Sequence, residues 1–395
     1  IVCFPGNPGT SKFAINVPVD INNFQEILGL IKFYKLELII IGPEEPLVNG
    51  IVDFLKKNKI KVFGPSKKAA RLEGSKAFMK NLCRKYNIPT AKYYVCTKKS
   101  QVKKFLNICG LPIVVKADGL AAGKGVVICR SRNKVFKISS EIFKGKFKSS
   151  NKLVLEEFLN GEEASYFVIV DKKNFKFFGT AQDHKRVKEN DKGPNTGGMG
   201  AYSPAPIINK EVEKKIINRI IDPTLRALKR ENSPYTGFLY VGLMIKNNEP
   251  YLIEYNVRMG DPECQVILPR LKSDLINIII KAVNNNLNKL TIKWLKEKSM
   301  TIVLCSKGYP GKYSINKTIK NLEKVKLFKN DFIYHAGTKA YAGQILSAGG
   351  RVLNITSVGK KFINIRKRIL KIIKKINWKH GFHRKDIARR VINKK

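Results

Sequence analysis

Apolar residues in this chain come in short runs punctuated by glycine and proline. Residues 38–41 form one such run, ending in Gly42-Pro43-Glu44, and 61–63 form another, ending in Gly64-Pro65. A helix-like pattern covers 24–34, and a second helix fits between the two runs. Strand, helix, strand with turns after the strands is the doubly wound α/β pattern, in which ligands sit at the carboxyl ends of strands. It predicts a small α/β domain over 1–73. Ser75 as N-cap and Asn87-Ile-Pro89 as stop predict a helix over 75–86. Strands are expected at 112–116, 126–129, 152–158, 164–170 and 175–180. A glycine-rich loop over 192–200 follows, then a helical stretch over 209–230 capped by Asn209, and two apolar strands at 236–245 and 251–255. After 297 the pattern changes to short strands, glycine turns and a basic amphipathic helix ending near Ile376, which reads as a separate small α/β domain over 297–395.

Composition narrows the class. The 395 residues carry 76 Lys and Arg against 30 Asp and Glu, a formal net charge of +46, yet 43% are hydrophobic and 9% aromatic, enough for packed cores. Such a length suggests several domains. No apolar run reaches the ~18 residues needed to span a bilayer, because charges interrupt each candidate, as Lys35 and Glu37 do before 38–41. The lysines are spread beside Asn and Ile along the whole chain rather than gathered in a stripe. That pattern fits compositional drift on solvated faces better than a phosphate-tracking surface, and no specific nucleic-acid partner is expected. Seven scattered cysteines without paired spacing argue against a disulfide framework or a zinc site and for a reducing, cytoplasmic setting.

Three segments can carry chemistry. Lys116-Ala-Asp-Gly-Leu-Ala-Ala-Gly-Lys-Gly-Val-Val127 has small residues that let backbone N–H groups approach phosphate oxygens, with Lys124 as a mobile charge. It lacks the Ser or Thr of a Walker A loop and joins strands, so it reads as a lid over a triphosphate or as an ordinary hairpin. In Leu153-Val-Leu-Glu-Glu-Phe-Leu-Asn-Gly-Glu-Glu163, backbone groups around Glu156 to Leu159 could read an adenine edge and Glu163 could accept from ribose hydroxyls. A solvated acidic rim is the other reading. In Ile253-Glu-Tyr-Asn-Val-Arg-Met-Gly-Asp-Pro-Glu-Cys-Gln265, Glu254 and Asn256 lie two apart on a strand and so face one side, as ligands for a hard cation should; Arg258 continues that face. Buried Glu–Arg pairing is the alternative there. Gln182-Asp-His-Lys-Arg186 and the 193–204 segment form a polar loop system of a kind unusual in a compact domain unless it binds something. His184 reads as a structural residue, and no Ser or Cys has a convincing His partner, so a hydrolase triad is poorly supported.

Glu73-Gly-Ser-Lys-Ala-Phe78, the 116–125 loop, Gln182–Arg186, Gly193-Pro-Asn-Thr-Gly-Gly-Met-Gly-Ala-Tyr-Ser-Pro-Ala-Pro206 and Arg258-Met-Gly-Asp-Pro-Glu263 together resemble the phosphoribosylamine–glycine ligase family of the ATP-grasp superfamily. The likeness runs in order from Pro5-Gly6-Asn7 to Phe382-His-Arg-Lys-Asp386. It implies an α/β and α+β multidomain protein: a partial N-terminal doubly wound α/β domain over 1–73, an ATP-grasp fold over 74–296 with a lid at about 97–165, and a small C-terminal α/β domain. The resemblance further implies a monomer that joins glycine to 5-phosphoribosylamine at the expense of ATP through an acyl phosphate. Such chemistry relies on positioning and charge neutralisation rather than an enzyme nucleophile.

By the same resemblance, Lys76 and Lys116 contact ATP phosphates, the loop with Gly119, Gly123, Lys124 and Gly125 closes over them, and Glu156, Leu159 and Glu163 hold the nucleoside. Glu254 and Asn256 bind Mg²⁺ or Mn²⁺, Arg258 steadies the transferring groups, and Asp183, Asp261 and Glu263 surround the glycine amine. The turns Gly6-Asn7 and Gly42-Pro43-Glu44 receive phosphoribosylamine. The chain departs from the family pattern in carrying Met259 where Phe or Leu is usual. It also opens on Ile1, after the point where the family has a strand and glycine-rich turn of the phosphoribosylamine site, so a first β-α unit is expected to be missing and amine docking to suffer. Another ATP-grasp carboxylate–amine ligase, or a basic nucleic-acid-binding protein, is the competing reading.

Overall fold

The computed structural model describes residues 1–121, 125–146 and 151–392. Near the N-terminus two short parallel strand pairs form, Val2–Cys3 with Ile15–Asn16 and Ile39–Ile40 with Val62–Phe63. The helix Phe24–Phe33 starts where the Asn23 side chain accepts from the Glu26 N–H, and it buries Ile27, Leu28 and Ile31. The helix expected between the two apolar runs is split into Glu44–Asn49 and Ile51–Lys57 by Gly50, whose φ of 101° is a left-handed conformation suited to glycine. Lys67–Gly74 is a further helix outside the expected set. It ends against Ser75, which caps Lys76–Lys85 by accepting from the Phe78 N–H at 3.1 Å.

A separate four-stranded antiparallel sheet, within the region expected as a lid, has the order Tyr93–Cys96, Leu153–Glu157, Ile113–Ala117, Val126–Cys129. Two helices unforeseen in the sequence, Lys99–Cys109 and Arg132–Phe143, cover one face of it. They bury Val102, Phe105, Leu106, Val135 and Ile142 against Ile113, Val115 and Leu155, which gives this small unit its own core.

A nine-stranded sheet forms the centre. Its order is Glu249–Asn256, Thr236–Lys246, Glu162–Asp171, Phe175–Asp183, Gly200–Ser203, Lys298–Ser306, Arg351–Gly359, Asp331–His335, with Gly381–Phe382 also on Lys298–Ser306. The region after 297, expected as a small α/β unit, therefore adds its strands to the same sheet, through Gly200–Ser203 paired with Met300 and its neighbours. Its helix Phe362–Lys375 packs Ile365, Ile369, Ile372 and Ile373 on those strands. Part of the glycine-rich loop is a hairpin, Arg186–Lys188 with Lys192–Asn195. The helix over 210–230 has the expected cap, the Asn209 side chain accepting from the Val212 N–H at 2.9 Å, and carries a π-helical turn at Ile217–Ile221. No helix among the described residues is long and apolar enough to cross a membrane.

Candidate active site

The strand Glu249–Asn256 sits at one edge of the central sheet and contains a register slip. Gly242 faces Glu254 while Leu243 faces Leu252, so Ile253 is an extra residue. Plain alternation would put Leu252, Glu254 and Asn256 on one face. The bulge resets the phase: Leu252, Tyr255 and Val257 are buried, and Glu254 and Asn256 line a cavity of about 610 Å³. Gly242 is needed opposite, because a Cβ there would stand 3.0 Å from the Glu254 Cγ.

Glu73, in the last turn of Lys67–Gly74, ties this strand end to the N-terminal region. It accepts from the Val257 N–H at 2.7 Å and from the Arg258 guanidinium at 2.9 Å. The Asn256 amide is satisfied when its nitrogen donates to the Tyr255 carbonyl at 3.1 Å and to Glu73 at 3.2 Å, so that its oxygen is the atom offered elsewhere. Burial pushes the Glu73 carboxyl up to about 7, against the pull of Arg258. Glu44 makes a second ion pair to Arg258 at 3.2 Å. The guanidinium is thereby aimed by carboxylates from two different helices.

Deeper in the cavity Lys185 lies 2.9 Å from Glu163 and 3.5 Å from Glu254. Burial works against its charge, but Glu163, Glu254 and Asp183 outweigh burial and hold it protonated. Glu254 is likewise kept ionised despite burial, by Lys185, Lys116 and Lys76. Asp183 and Glu263 go the other way. Burial raises both, Asp183 to about 7, and each is affected by the charges of Lys185 and of neighbouring acids. Glu263 also accepts from the Ser165 hydroxyl at 3.2 Å. Asp261, at the rim, pairs with Arg351 at 2.8 Å.

On the same cavity wall the Lys76 ammonium donates to the Gly119 carbonyl at 2.9 Å, and Lys116 pairs with Glu156 at 2.8 Å and donates to the Ile253 carbonyl at 3.2 Å. Glu156 also meets Lys80 at 2.8 Å, and the two lysines keep this buried carboxylate ionised in spite of desolvation. Gly125 is close-packed: a Cβ there would lie 2.6 Å from the Ala121 Cβ. Gly123 and Lys124 lie outside the described residues.

The cavity thus brings together Gly42, Pro43 and Glu44, Lys76 and Lys116, Gly119 and Gly125, Glu156, Leu159 and Glu163, Asp183, Glu254, Asn256, Arg258, Asp261 and Glu263. Gly6 and Asn7 are not on its wall. Asn7 accepts from the Gly9 N–H at 2.8 Å and donates to the His335 carbonyl at 3.0 Å, docking that turn on the C-terminal region. Sequence reasoning missed Lys185, Glu73, Lys80 and Arg351 as site residues. Lys185 is two residues from Asp183 and so shares its face, a signal that was available. Arg351 has none, since strand pairing across the molecule delivers it. Among the described residues no cluster of three or more His, Cys, Asp or Glu could hold a metal by itself. Glu254 and Asn256 offer two oxygen donors on one strand, which suits a hard cation completed by phosphate oxygens and water.

Three family models match the chain: phosphoribosylglycinamide synthetase N domain over 1–73, ATP-grasp (A) domain over 74–264 and C domain over 299–390. The chloroplastic phosphoribosylamine–glycine ligase of Arabidopsis thaliana is 45% identical over 404 residues, covering 100% of this chain and 76% of that protein. The enzyme of the same name from Brucella melitensis is 42% identical, with 100% of this chain and 92% of the relative covered. Among solved structures, phosphoribosylamine–glycine ligase from Thermotoga maritima superposes with a TM-score of 0.86 at 33% identity, covering 98% of this chain and 93% of that one. The biotin carboxylase domain of a Hydrogenobacter thermophilus 2-oxoglutarate carboxylase, crystallised with MgADP, shares the fold with a TM-score of 0.76 at 17% identity, over 96% of this chain and 85% of that one. With the whole length matched and the motif residues converging on one cavity, the chain belongs to the phosphoribosylglycinamide synthetase family of ATP-grasp ligases.

Proposed function

We propose that the cavity catalyses ATP-dependent ligation of glycine to 5-phosphoribosylamine, giving glycinamide ribonucleotide, ADP and phosphate through glycyl phosphate, the second step of de novo purine synthesis. The observation that carries this reading is one cavity lined by two chemically distinct groups, lysines with a glycine loop and an acid–lysine cluster around Asp183 and Glu263, with Glu254 under the influence of lysines from both. Lys76, Lys116 and the loop of Gly119 and Gly125 bind the nucleotide phosphates. Backbone groups near Glu156 and Leu159 take the adenine edge, while Glu163 accepts from the ribose. Glu254 and Asn256 would hold a divalent ion, Mg²⁺ or Mn²⁺, which would supply neutralisation of phosphate charge.

Asp183 and Glu263 have raised proton affinity, so a glycine ammonium beside them restores their ionised form and is held by them. Asp261 closes the rim of that pocket. Lys185 and Arg258 then face the glycine carboxylate and the γ-phosphoryl group, stabilising the charge that spreads between them. Gly42, Pro43 and Glu44 receive the second substrate's amine, a reading supported by their sharing the cavity lining with Arg258. No Ser, Cys or His is needed as nucleophile. An omission series tests the proposal: ADP release by the purified chain should require glycine and a divalent ion together, and ADP release that ignores glycine would refute it.

A further inference from the structure

The segment Phe382-His-Arg-Lys-Asp386 and the buried His184 have no place in the chemistry above, yet they meet each other. Past the end of the strand Phe175–Asp183 the backbone stays extended. The His184 N–H donates to the Gly200 carbonyl at 2.8 Å, and the Met199 N–H donates to the His184 carbonyl at 2.9 Å. Alternation then sends Asp183 and Lys185 into the cavity and His184 to the other side, where it is fully buried. On that side its Nε2 accepts from the Ala388 N–H at 3.0 Å. Nε2 is therefore unprotonated, and the neutral ring carries its proton on Nδ1, 3.3 Å from Asp191 Oδ1. Both ring nitrogens are occupied away from the cavity, which excludes His184 as an acid or base in the reaction.

Arg384 completes the strap. It is 1% exposed and donates to Asp191 at 2.9 Å, to the Arg186 carbonyl at 2.9 Å and to Asp386 at 2.7 Å. Asp386 in turn accepts from the Asn190 N–H at 2.9 Å. The loop is thus held at 184, 186, 190 and 191, on both sides of Lys185, by a segment about two hundred residues away in sequence. Fixing the residues on either side of a reactive group is how a supporting shell holds it in productive geometry.

We propose that His184 and Arg384 are positioning residues for the ligation, setting the register in which Asp183 and Lys185 face the substrates. The inference rests on the ligase reading, and it separates from a merely structural role because the groups that hold ATP lie on other elements. Loosening the strap therefore costs turnover while leaving nucleotide affinity in place. Gln restores an acceptor where Nε2 stands, whereas Ala does not.

Glycine-dependent ADP release is measured for the wild type, H184A, H184Q and R384K, with Tm recorded to confirm that each is folded at the assay temperature. In H184A kcat should fall about ten-fold or more while KM for ATP stays within about two-fold, and H184Q should recover most of the loss. R384K, which keeps charge but loses the fork that reaches three acceptors at once, should resemble H184A. The inference is overturned if folded H184A keeps wild-type kcat, if its ATP KM rises in step with the loss, or if H184Q is no better than H184A. A variant too unstable to assay is replaced by comparison of wild type, H184Q and R384K, where equal kcat in all three also overturns it. A wild type without glycine-dependent turnover would instead sink the ligase reading itself.

Discussion

A carboxylate in this cavity behaves according to which cation stands next to it. Glu254 is held ionised by three lysines, whereas burial pushes Asp183 up to about 7 although the charge of Lys185 acts on both. Removing the Glu254 carboxylate takes away one of the two proposed metal donors and a partner of Lys185, so E254A should lose on the order of 10² in turnover. Steady-state kinetics on the purified variant check this, and near wild-type activity would contradict the metal assignment. His184 gives a stability prediction with a definite sign. Burial lowers its imidazole from 6.5 to about 4, so on acidification the unfolded chain takes up a proton that the folded chain refuses. Stability relative to the non-titrating H184Q should therefore decline between pH 6.5 and 4, by ~3 kcal/mol in all. The raised groups Glu73 and Asp183 are common to both proteins and cancel in that difference. Denaturant unfolding at several pH values measures it, and parallel curves would contradict the assignment.

At the scale of elements, legibility followed locality. Asn209 and Ser75 announced their helices because an N-cap acts on backbone three residues away. Glu254 and Asn256 were readable as a pair because period two is local, although the bulge at Ile253 that separates them from Leu252 was not, since it depends on Gly242 in another strand. The helices Lys99–Cys109 and Arg132–Phe143 escaped because their polar faces are lysine- and serine-rich, and only packing on the four-stranded sheet reveals which residues are inside. Arg351 reaches the cavity from elsewhere, and nothing beside it in sequence says so. Gly125 also carries a prediction. Gly125 has the Ala121 Cβ at 2.6 Å from where its own Cβ would be, so G125A must shift the loop. KM for ATP should rise more than about two-fold, since the close approach falls on a residue lining the cavity. An unchanged KM would make the loop a plain turn.

In the molecule as a whole, the continuous sheet joins the nucleotide half to the C-terminal half. Gly200–Ser203 and Lys298–Ser306 pair across that junction and bury Met300 and Ile302. A fragment of residues 297–395 would present that strand as an apolar, unpaired edge, and it should aggregate when made alone. A monomeric elution with a cooperative melt would show instead that the region folds independently. The same continuity lets Arg351 reach a cavity built mainly by residues before 264, and lets Arg384 brace the 184–191 loop behind it. The central claim is that this cavity transfers the γ-phosphoryl group to the carboxylate of glycine. Glycine labelled with ¹⁸O in its carboxyl group tests it directly, because an acyl phosphate formed and then opened by an amine leaves one carboxyl oxygen on the phosphate released. The account predicts inorganic phosphate carrying one ¹⁸O per turnover; unlabelled phosphate released alongside glycinamide ribonucleotide would contradict it.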